Sequence, residues 1–68
     1  TDAETAKTAR LLREINKSRT VIVVEHDMAF VRDLDVKVTV MHEGSVLAEG
    51  PLDHISADER VIEVYLGR

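Results

Sequence analysis

Residues 20–27 have the sequence TVIVVEHD, in which five consecutive β-branched residues are followed by a histidine between two acids. β-Branched side chains favour extended backbone, and a strand that is apolar on both faces is typical of the interior of a parallel α/β sheet. We therefore predict a buried central strand over residues 20–24. In such sheets ligands bind at the carboxyl ends of the strands, so His26 lies where a functional site is expected.

The residues before this strand have the signals of an amphipathic helix. Thr1 and Glu4 have the spacing of a capping box, which predicts that the helix begins directly after Thr1. Ala9, Leu12 and Ile15 then recur on one helical face, and charged residues cover the remainder. We expect the helix to pack by that one face and to end in the polar residues after Ile15.

A short helix and a β-hairpin are predicted after the strand. Asp27 is a suitable N-cap for a helix that ends before Val36. Apolar and polar residues then alternate over residues 36–40, and the His-Glu-Gly sequence of residues 42–44 is typical of a tight turn. Residues 45–49 are expected to return as the second strand of an antiparallel pair.

Two further helices are predicted in the last third of the sequence. Pro51 ends the hairpin and suits the first turn of a short helix through Ile55. Ser56 and Glu59 have capping-box spacing, which predicts a last helix that ends before Gly67. The predicted fold class is α/β, with the order helix, strand, helix, β-hairpin, helix, helix.

Composition limits the chain to one small core and excludes several functions. The 68 residues are 44% hydrophobic and 32% charged and contain no cysteine, so disulfides and thiolate metal sites are excluded. The net charge is -4 and there is no basic stripe, so we expect no nucleic-acid partner. The apolar runs are far shorter than the roughly 20 residues that span a bilayer, and we expect a cytoplasmic location.

His26 is the candidate site residue. Its imidazole can donate a hydrogen bond to a phosphate oxygen and accept one from water, which suits a sensor of a terminal phosphate. A histidine here can equally end a strand and bond a backbone carbonyl, and position alone does not decide between these alternatives. Glu25 and Asp27 are expected to be a solvated strand end and a helix cap. The three histidines lack the close spacing of zinc ligands, so no metal site is expected.

A family resemblance bears on this choice. Residues 20–34, TVIVVEHDMAFVRDL, followed by residues 38–51, VTVMHEGSVLAEGP, resemble the C-terminal part of ABC-transporter ATP-binding subunits. The ending ADERVIEVYLG, residues 57–67, is similar to the subunits of branched-chain amino acid uptake systems, and its combination with residues 40–50 looks most like their urea-uptake relatives. The resemblance covers essentially the entire chain. It implies that residues 1–68 are the C-terminal part of a nucleotide-binding domain, with a partial P-loop NTPase-like fold.

The resemblance also implies a chemistry. His26 is similar to the switch-loop histidine, a catalytic residue that contacts the γ-phosphate of ATP in the intact subunit. The implied cofactors are ATP and Mg²⁺, and the implied partners are transmembrane permease subunits and a second ATPase subunit. The intact subunit would lie peripherally on the inner face of the plasma membrane. Thr1 sits where the family's D-loop ends, but the family more often has Asp or Asn there, so no role is assigned to Thr1.

Several elements of an ATPase are absent from the sequence. It contains no G-x-x-x-x-G-K-[ST] phosphate loop, no LSGGQ-like segment and no acidic strand end for a magnesium ligand and a catalytic glutamate. In the family these parts lie upstream. We therefore expect that the 68-residue chain alone does not hydrolyse ATP.

An alternative of another class is a small autonomous α/β module that mediates protein association, in which residues 25–27 only end a strand. The two hypotheses differ in how residues 21–24 are covered. An autonomous module buries them inside one chain, whereas a fragment leaves the strand without its parallel neighbours. Exposed apolar surface of that kind favours self-association, so for a fragment we expect a dimer or a larger oligomer.

Overall fold

The computed structural model describes residues 1–66, and the side chains of residues 1–65. The chain divides into two units, Thr1–Asp35 and Val36–Arg68. The first unit contains two helices, and the second contains a β-hairpin followed by short helical segments. This mixture of helix and a small sheet is compatible with the predicted α/β class. Gly67, which was expected to follow the last helix, lies outside the described residues.

The first helix, α1, spans Asp2–Asn16 and begins as predicted. The backbone N–H of Glu4 donates to Thr1 Oγ1 at 3.2 Å, and the amino group of Thr1 donates to Glu4 Oε2 at 3.2 Å. These two bonds form the capping box and satisfy donors that the first helical turn leaves without partners. Asp2 and Glu4 also place negative charge beside the positive end of the helix dipole.

The second helix, α2, spans Met28–Leu34 and packs against α1. It ends at Leu34, and the next residue, Asp35, caps it with a left-handed φ of 53°. The core of this unit consists of Ala9 from α1 and of Phe30 and Leu34 from α2. Because α2 has only 7 residues, it covers the apolar face of α1 only in part. Leu12 packs against this core, whereas Leu11 and Ile15 remain exposed.

The predicted strand over residues 20–24 is not formed. These residues carry no strand assignment, and the sheet found within residues 1–66 consists of two later strands. The prediction of a buried strand is wrong for this structure, because a strand exists only where a neighbour supplies hydrogen bonds, and no described residue pairs with this segment. Ile22 and Val24 are 87% and 96% exposed.

The second unit begins with the predicted β-hairpin. Strand β1 spans Val38–His42, strand β2 spans Ser45–Gly50, and the two are antiparallel. His42 was expected in the turn but pairs with Ser45 as the last residue of β1. Glu43 and Gly44 therefore form a two-residue turn, and their φ values of 49° and 79° are both positive, as a type I′ turn requires.

A bulge interrupts the hairpin. Val40 pairs with Ala48, but Met41 pairs with Val46, so Leu47 is an extra residue on β2. A bulge of this kind locally breaks the alternation of side chains between the two faces of the sheet. Leu47 and Ala48 are consecutive residues, and both are half-buried.

Three helical segments follow β2. Helix α3 spans Leu52–Ile55, helix α4 spans Glu59–Val61, and a π-helical segment spans Ile62–Leu66. Among residues 36–65 the buried side chains are those of Ile55 and Val61, with α3 packed on both strands and α4 packed on β2. No helix in the described part of the chain is both long and apolar enough to cross a membrane.

The cap of α4 differs from the prediction. Ser56 does not cap this helix, which begins at Glu59; Ser56 instead closes α3, with its backbone N–H donating to the Leu52 carbonyl and its hydroxyl donating to the Asp53 carbonyl. Asp58 is the cap, and its Oδ1 accepts from the backbone N–H of Arg60 at 2.8 Å. The Arg60 side chain also bonds this carboxylate and holds the pKa of Asp58 below its ordinary value.

Tyr65 connects the π-helical segment with the hairpin inside the second unit. Its hydroxyl donates to the carbonyl oxygen of Met41. Its ring meets the His42 imidazole edge-to-face, with 6.4 Å between the ring centroids and 82° between the ring planes. Aromatic pairs prefer such edge-to-face arrangements, so this contact stabilises the end of the described chain on β1.

The type I′ turn generates a first prediction. Gly44→Val places a β-branched residue at a φ of +79°, and we expect it to destabilise the chain by about 1–2 kcal/mol. Glu43→Asn should act in the opposite direction, because Asn-Gly suits this turn best. Urea unfolding followed by circular dichroism at one protein concentration measures both effects. Ser45→Val, in the adjacent strand, is the control. An unchanged midpoint for Gly44→Val would contradict the assigned turn.

Candidate functional site

His26 lies between the extended residues 20–25 and the start of α2. Its side chain is 93% exposed. Within residues 1–65 the imidazole neither donates nor accepts a hydrogen bond, so the alternative in which His26 bonds a backbone carbonyl is not what the structure contains. The ring is therefore accessible to a group from outside the described residues.

Glu25 fixes the backbone at the histidine. Its Oε1 accepts from the backbone N–H of His26 at 2.8 Å and from that of Asp27 at 3.3 Å. The same oxygen lies 3.8 Å from His26 Nδ1. The sequence predicted only a solvated strand end for Glu25, so its bonds to the backbone of the histidine segment were not predicted. The sequence held no clear signal for it, because local side-chain bonds to the backbone are typical of Ser, Thr, Asn and Asp rather than of Glu.

Asp27 fixes the backbone on the other side of the histidine, as predicted. Its Oδ1 accepts from the backbone N–H groups of Ala29 at 3.0 Å and Phe30 at 3.3 Å, which caps α2. Phe30 is also buried against Ala9 in the core of the first unit. The cap therefore links the position of His26 to the packing of the two helices.

The electrostatics of this segment limit what it can do alone. Glu25 and Asp27 place two carboxylates beside His26, and one oxygen of each carboxylate accepts two backbone N–H groups. The imidazole can bond a phosphate oxygen or a water molecule, but the surrounding charge disfavours binding an anion without further cationic ligands. The arrangement suits one contact to a phosphate that other groups hold.

The other two histidines lie within elements of the second unit. His42 packs against Tyr65, and its Nε2 lies 3.6 Å from Glu43 Oε1. His54 is in the short helix α3. Among the described residues, no group of three or more His, Cys, Asp or Glu side chains is placed to hold a metal ion. Thr1, whose position resembles the end of the D-loop, caps α1.

Comparison with known proteins gives consistent matches. Residues 45–68 match the family described as "Branched-chain amino acid ATP-binding cassette transporter". The High-affinity branched-chain amino acid transport ATP-binding protein BraF of Pseudomonas aeruginosa is 37% identical over 67 residues, which is 98% of this chain and 26% of that protein. The corresponding protein LivG of Salmonella typhimurium is 32% identical over 66 residues, 94% of this chain and 26% of that protein.

A relative with a different named solute also matches. The Methionine import ATP-binding protein MetN of Streptococcus mutans is 38% identical over 52 residues, which is 74% of this chain and 15% of that protein. The chain thus spans about a quarter of the length of the branched-chain amino acid relatives. No solved structure matches it significantly.

The helix cap beside His26 generates a second prediction. Asp27→Ala removes the acceptor for the Ala29 and Phe30 N–H groups, and we expect the start of α2 to lose about 1 kcal/mol of stability. Amide hydrogen exchange at these two residues should become about fivefold faster. Asp27→Asn keeps an acceptor oxygen and should exchange as slowly as the unchanged chain. Equal exchange in Asp27→Ala would show that the cap does not hold this segment.

Proposed function

Since this chain belongs to the ATP-binding subunits of ABC transporters of the branched-chain amino acid type, we propose that it supplies the switch histidine of an importer ATPase. The intact subunit would couple ATP hydrolysis to solute uptake. The observation that carries this proposal is the exposed imidazole of His26, held between backbone positions that Glu25 and Asp27 anchor. An exposed side chain on a fixed backbone has the geometry needed to contact a ligand that other parts of the protein hold.

The proposed contribution of His26 is positioning and charge stabilisation. Its imidazole would bond an oxygen of the γ-phosphate and help to orient the attacking water. Phosphoryl transfer depends mainly on such positioning and on neutralising charge, so a single well-placed side chain affects turnover strongly. Bound ATP and Mg²⁺ would supply the transferable phosphoryl group and the main neutralising charge. One carboxylate oxygen of Glu25 and one of Asp27 accept backbone N–H groups, and we assign both residues to fixing the backbone around His26.

The 68-residue chain alone is proposed to be inactive. It spans about a quarter of its branched-chain amino acid relatives, and its sequence has no phosphate loop. The acidic surroundings of His26 give the segment no means of holding triphosphate by itself. The phosphate ligands would come from other parts of the intact subunit.

The proposed partners follow from the family. ABC ATP-binding subunits of importers work with transmembrane permease components, and two such subunits enclose the nucleotides. The intact protein would therefore lie on the inner face of the plasma membrane, bound to permease subunits. The names of BraF and LivG support a branched-chain amino acid as the solute. Urea stays a narrower prediction that rests on the resemblance of residues 40–50 and 57–67.

The exposure of Ile22 and Val24 favours this proposal over an autonomous interaction module. An autonomous module is expected to bury these residues within one chain, but Ile22 and Val24 are almost fully exposed. Apolar side chains in this state are stabilised by any neighbour that covers them. In the intact subunit we propose that adjacent strands do so, and in the isolated chain that a second copy does.

A third prediction concerns turnover. In the intact subunit, His26→Ala should lower the kcat for ATP hydrolysis by about 100-fold or more, because the contact acts mainly in the transition state. The Kd for ATP measured by calorimetry should change by less than about threefold, since the contacts made equally in the ground state and the transition state are preserved. His54→Ala, which changes a histidine in α3, is the matched control and should keep full activity. Unchanged kcat in His26→Ala would disprove the proposed role.

A fourth prediction concerns association. In analytical ultracentrifugation the 68-residue chain should sediment as a dimer or a larger oligomer, because Ile22 and Val24 expose apolar surface. Replacing both residues with Lys should shift the chain to monomer. Val46→Lys changes an exposed apolar residue of β2 and should leave the oligomer intact. A monodisperse monomer of the unchanged chain would count against the fragment interpretation.

A further inference from the structure

Glu25 has more contacts with the histidine segment than a solvated strand end requires. We propose that Glu25 is a positioning residue that turns the imidazole of His26 so that Nδ1 faces the carboxylate and Nε2 meets the nucleotide. This inference rests on the proposed function of His26. It assigns the orientation of the ring to a carboxylate directly beside it in the sequence.

In the pair formed by Glu25 and His26, the carboxylate of Glu25 is the more restricted side chain. Its Oε1 accepts two backbone N–H groups, those of His26 and Asp27, at 2.8 and 3.3 Å. Charge-assisted bonds of this kind are stronger than neutral ones and restrict the side chain that accepts them. The Glu25 side chain is only 33% exposed, against 93% for His26. The imidazole can therefore adjust to the carboxylate, rather than the reverse.

The distance to the ring defines which nitrogen is available. Oε1 lies 3.8 Å from Nδ1, which is longer than a hydrogen bond, so the exposed ring must move closer to the carboxylate to form one. Catalytic hydrogen bonds are often long before the substrate is bound and tighten in the complex. A bond from Nδ1–H to Glu25 keeps the proton on Nδ1. Nε2, on the other side of the ring, can then accept from water or, when protonated, donate to a phosphate oxygen.

A second histidine of this chain provides an internal comparison. His42 and Glu43 are also adjacent, with 3.6 Å between Nε2 and Oε1. Glu43, however, is 84% exposed, and within residues 1–65 its carboxylate accepts no backbone N–H group. Adjacency alone therefore does not create the anchored arrangement found at Glu25. Glu43 is a suitable control for the loss of a carboxylate beside a histidine.

The fifth prediction tests this role by steady-state kinetics of the intact subunit. Glu25→Ala should lower kcat by about 10- to 100-fold, with the KM for ATP within about twofold, because a misplaced ring weakens only the transition state. Glu25→Gln keeps an acceptor oxygen and should recover kcat to within about threefold of the unchanged subunit. Glu43→Ala should have no effect. Equal kcat for Glu25→Ala and the unchanged subunit would contradict the proposal.

The protonation of the His26 imidazole is a second measurement that tests the role of Glu25. Nitrogen chemical shifts of ¹⁵N-histidine in the intact subunit, with the His26 signal assigned by its loss in His26→Ala, report which nitrogen carries the proton. Glu25→Ala should move His26 from the Nδ1–H form towards the Nε2–H form, and Glu25→Gln should move it less. A purely structural effect of Glu25 would lower the thermal midpoint and leave this ratio unchanged, which would overturn the proposal.

The two proposals fail in different ways. Unchanged turnover in His26→Ala disproves the function of His26, and the positioning role for catalysis falls with it. A large loss in His26→Ala, together with unchanged kcat and unchanged protonation in Glu25→Ala, disproves only the role of Glu25. Losses in both variants and a shifted proton in Glu25→Ala support both proposals.

Discussion

The packing of Phe30 and Leu34 against Ala9 is the contact on which the geometry around His26 depends. It holds α2 on α1, and α2 begins at a cap whose acceptor is Asp27. Because the backbone N–H of Phe30 is one of the groups that Asp27 accepts, the apolar core and the cap share a residue. The histidine follows from this arrangement as the next residue upstream, with its backbone fixed and its ring exposed.

Elements that depend on neighbours in sequence could be predicted from the sequence. The capping box of α1, the cap at Asp27 and the turn at Gly44 all use residues within four positions of each other, so local physical rules suffice. The prediction at Ser56 was wrong because two local rules competed. The Ser56 hydroxyl bonds the Asp53 carbonyl in α3, whereas the Asp58 carboxylate, directly before Glu59, accepts from the first N–H groups of α4.

The segment over residues 20–24 shows where sequence reasoning reaches its limit. Five β-branched residues specify extended backbone, but a strand also needs a partner, and that partner is not within residues 1–66. At the candidate site, too, the residue pattern was informative only in part. Residue pattern alone left His26 between two alternatives, and the family resemblance, confirmed by the matches to BraF and LivG, supplied the expected role. The bonds of Glu25 became visible only in the structure.

The contact of Tyr65 with Met41 and His42 determines what the intrinsic fluorescence of this chain reports. Tyr65 is the single tyrosine, and the sequence has no tryptophan. Intrinsic ultraviolet fluorescence excited at tyrosine wavelengths therefore originates entirely in the second unit. Such emission reports directly on the packing of the π-helical segment against the hairpin.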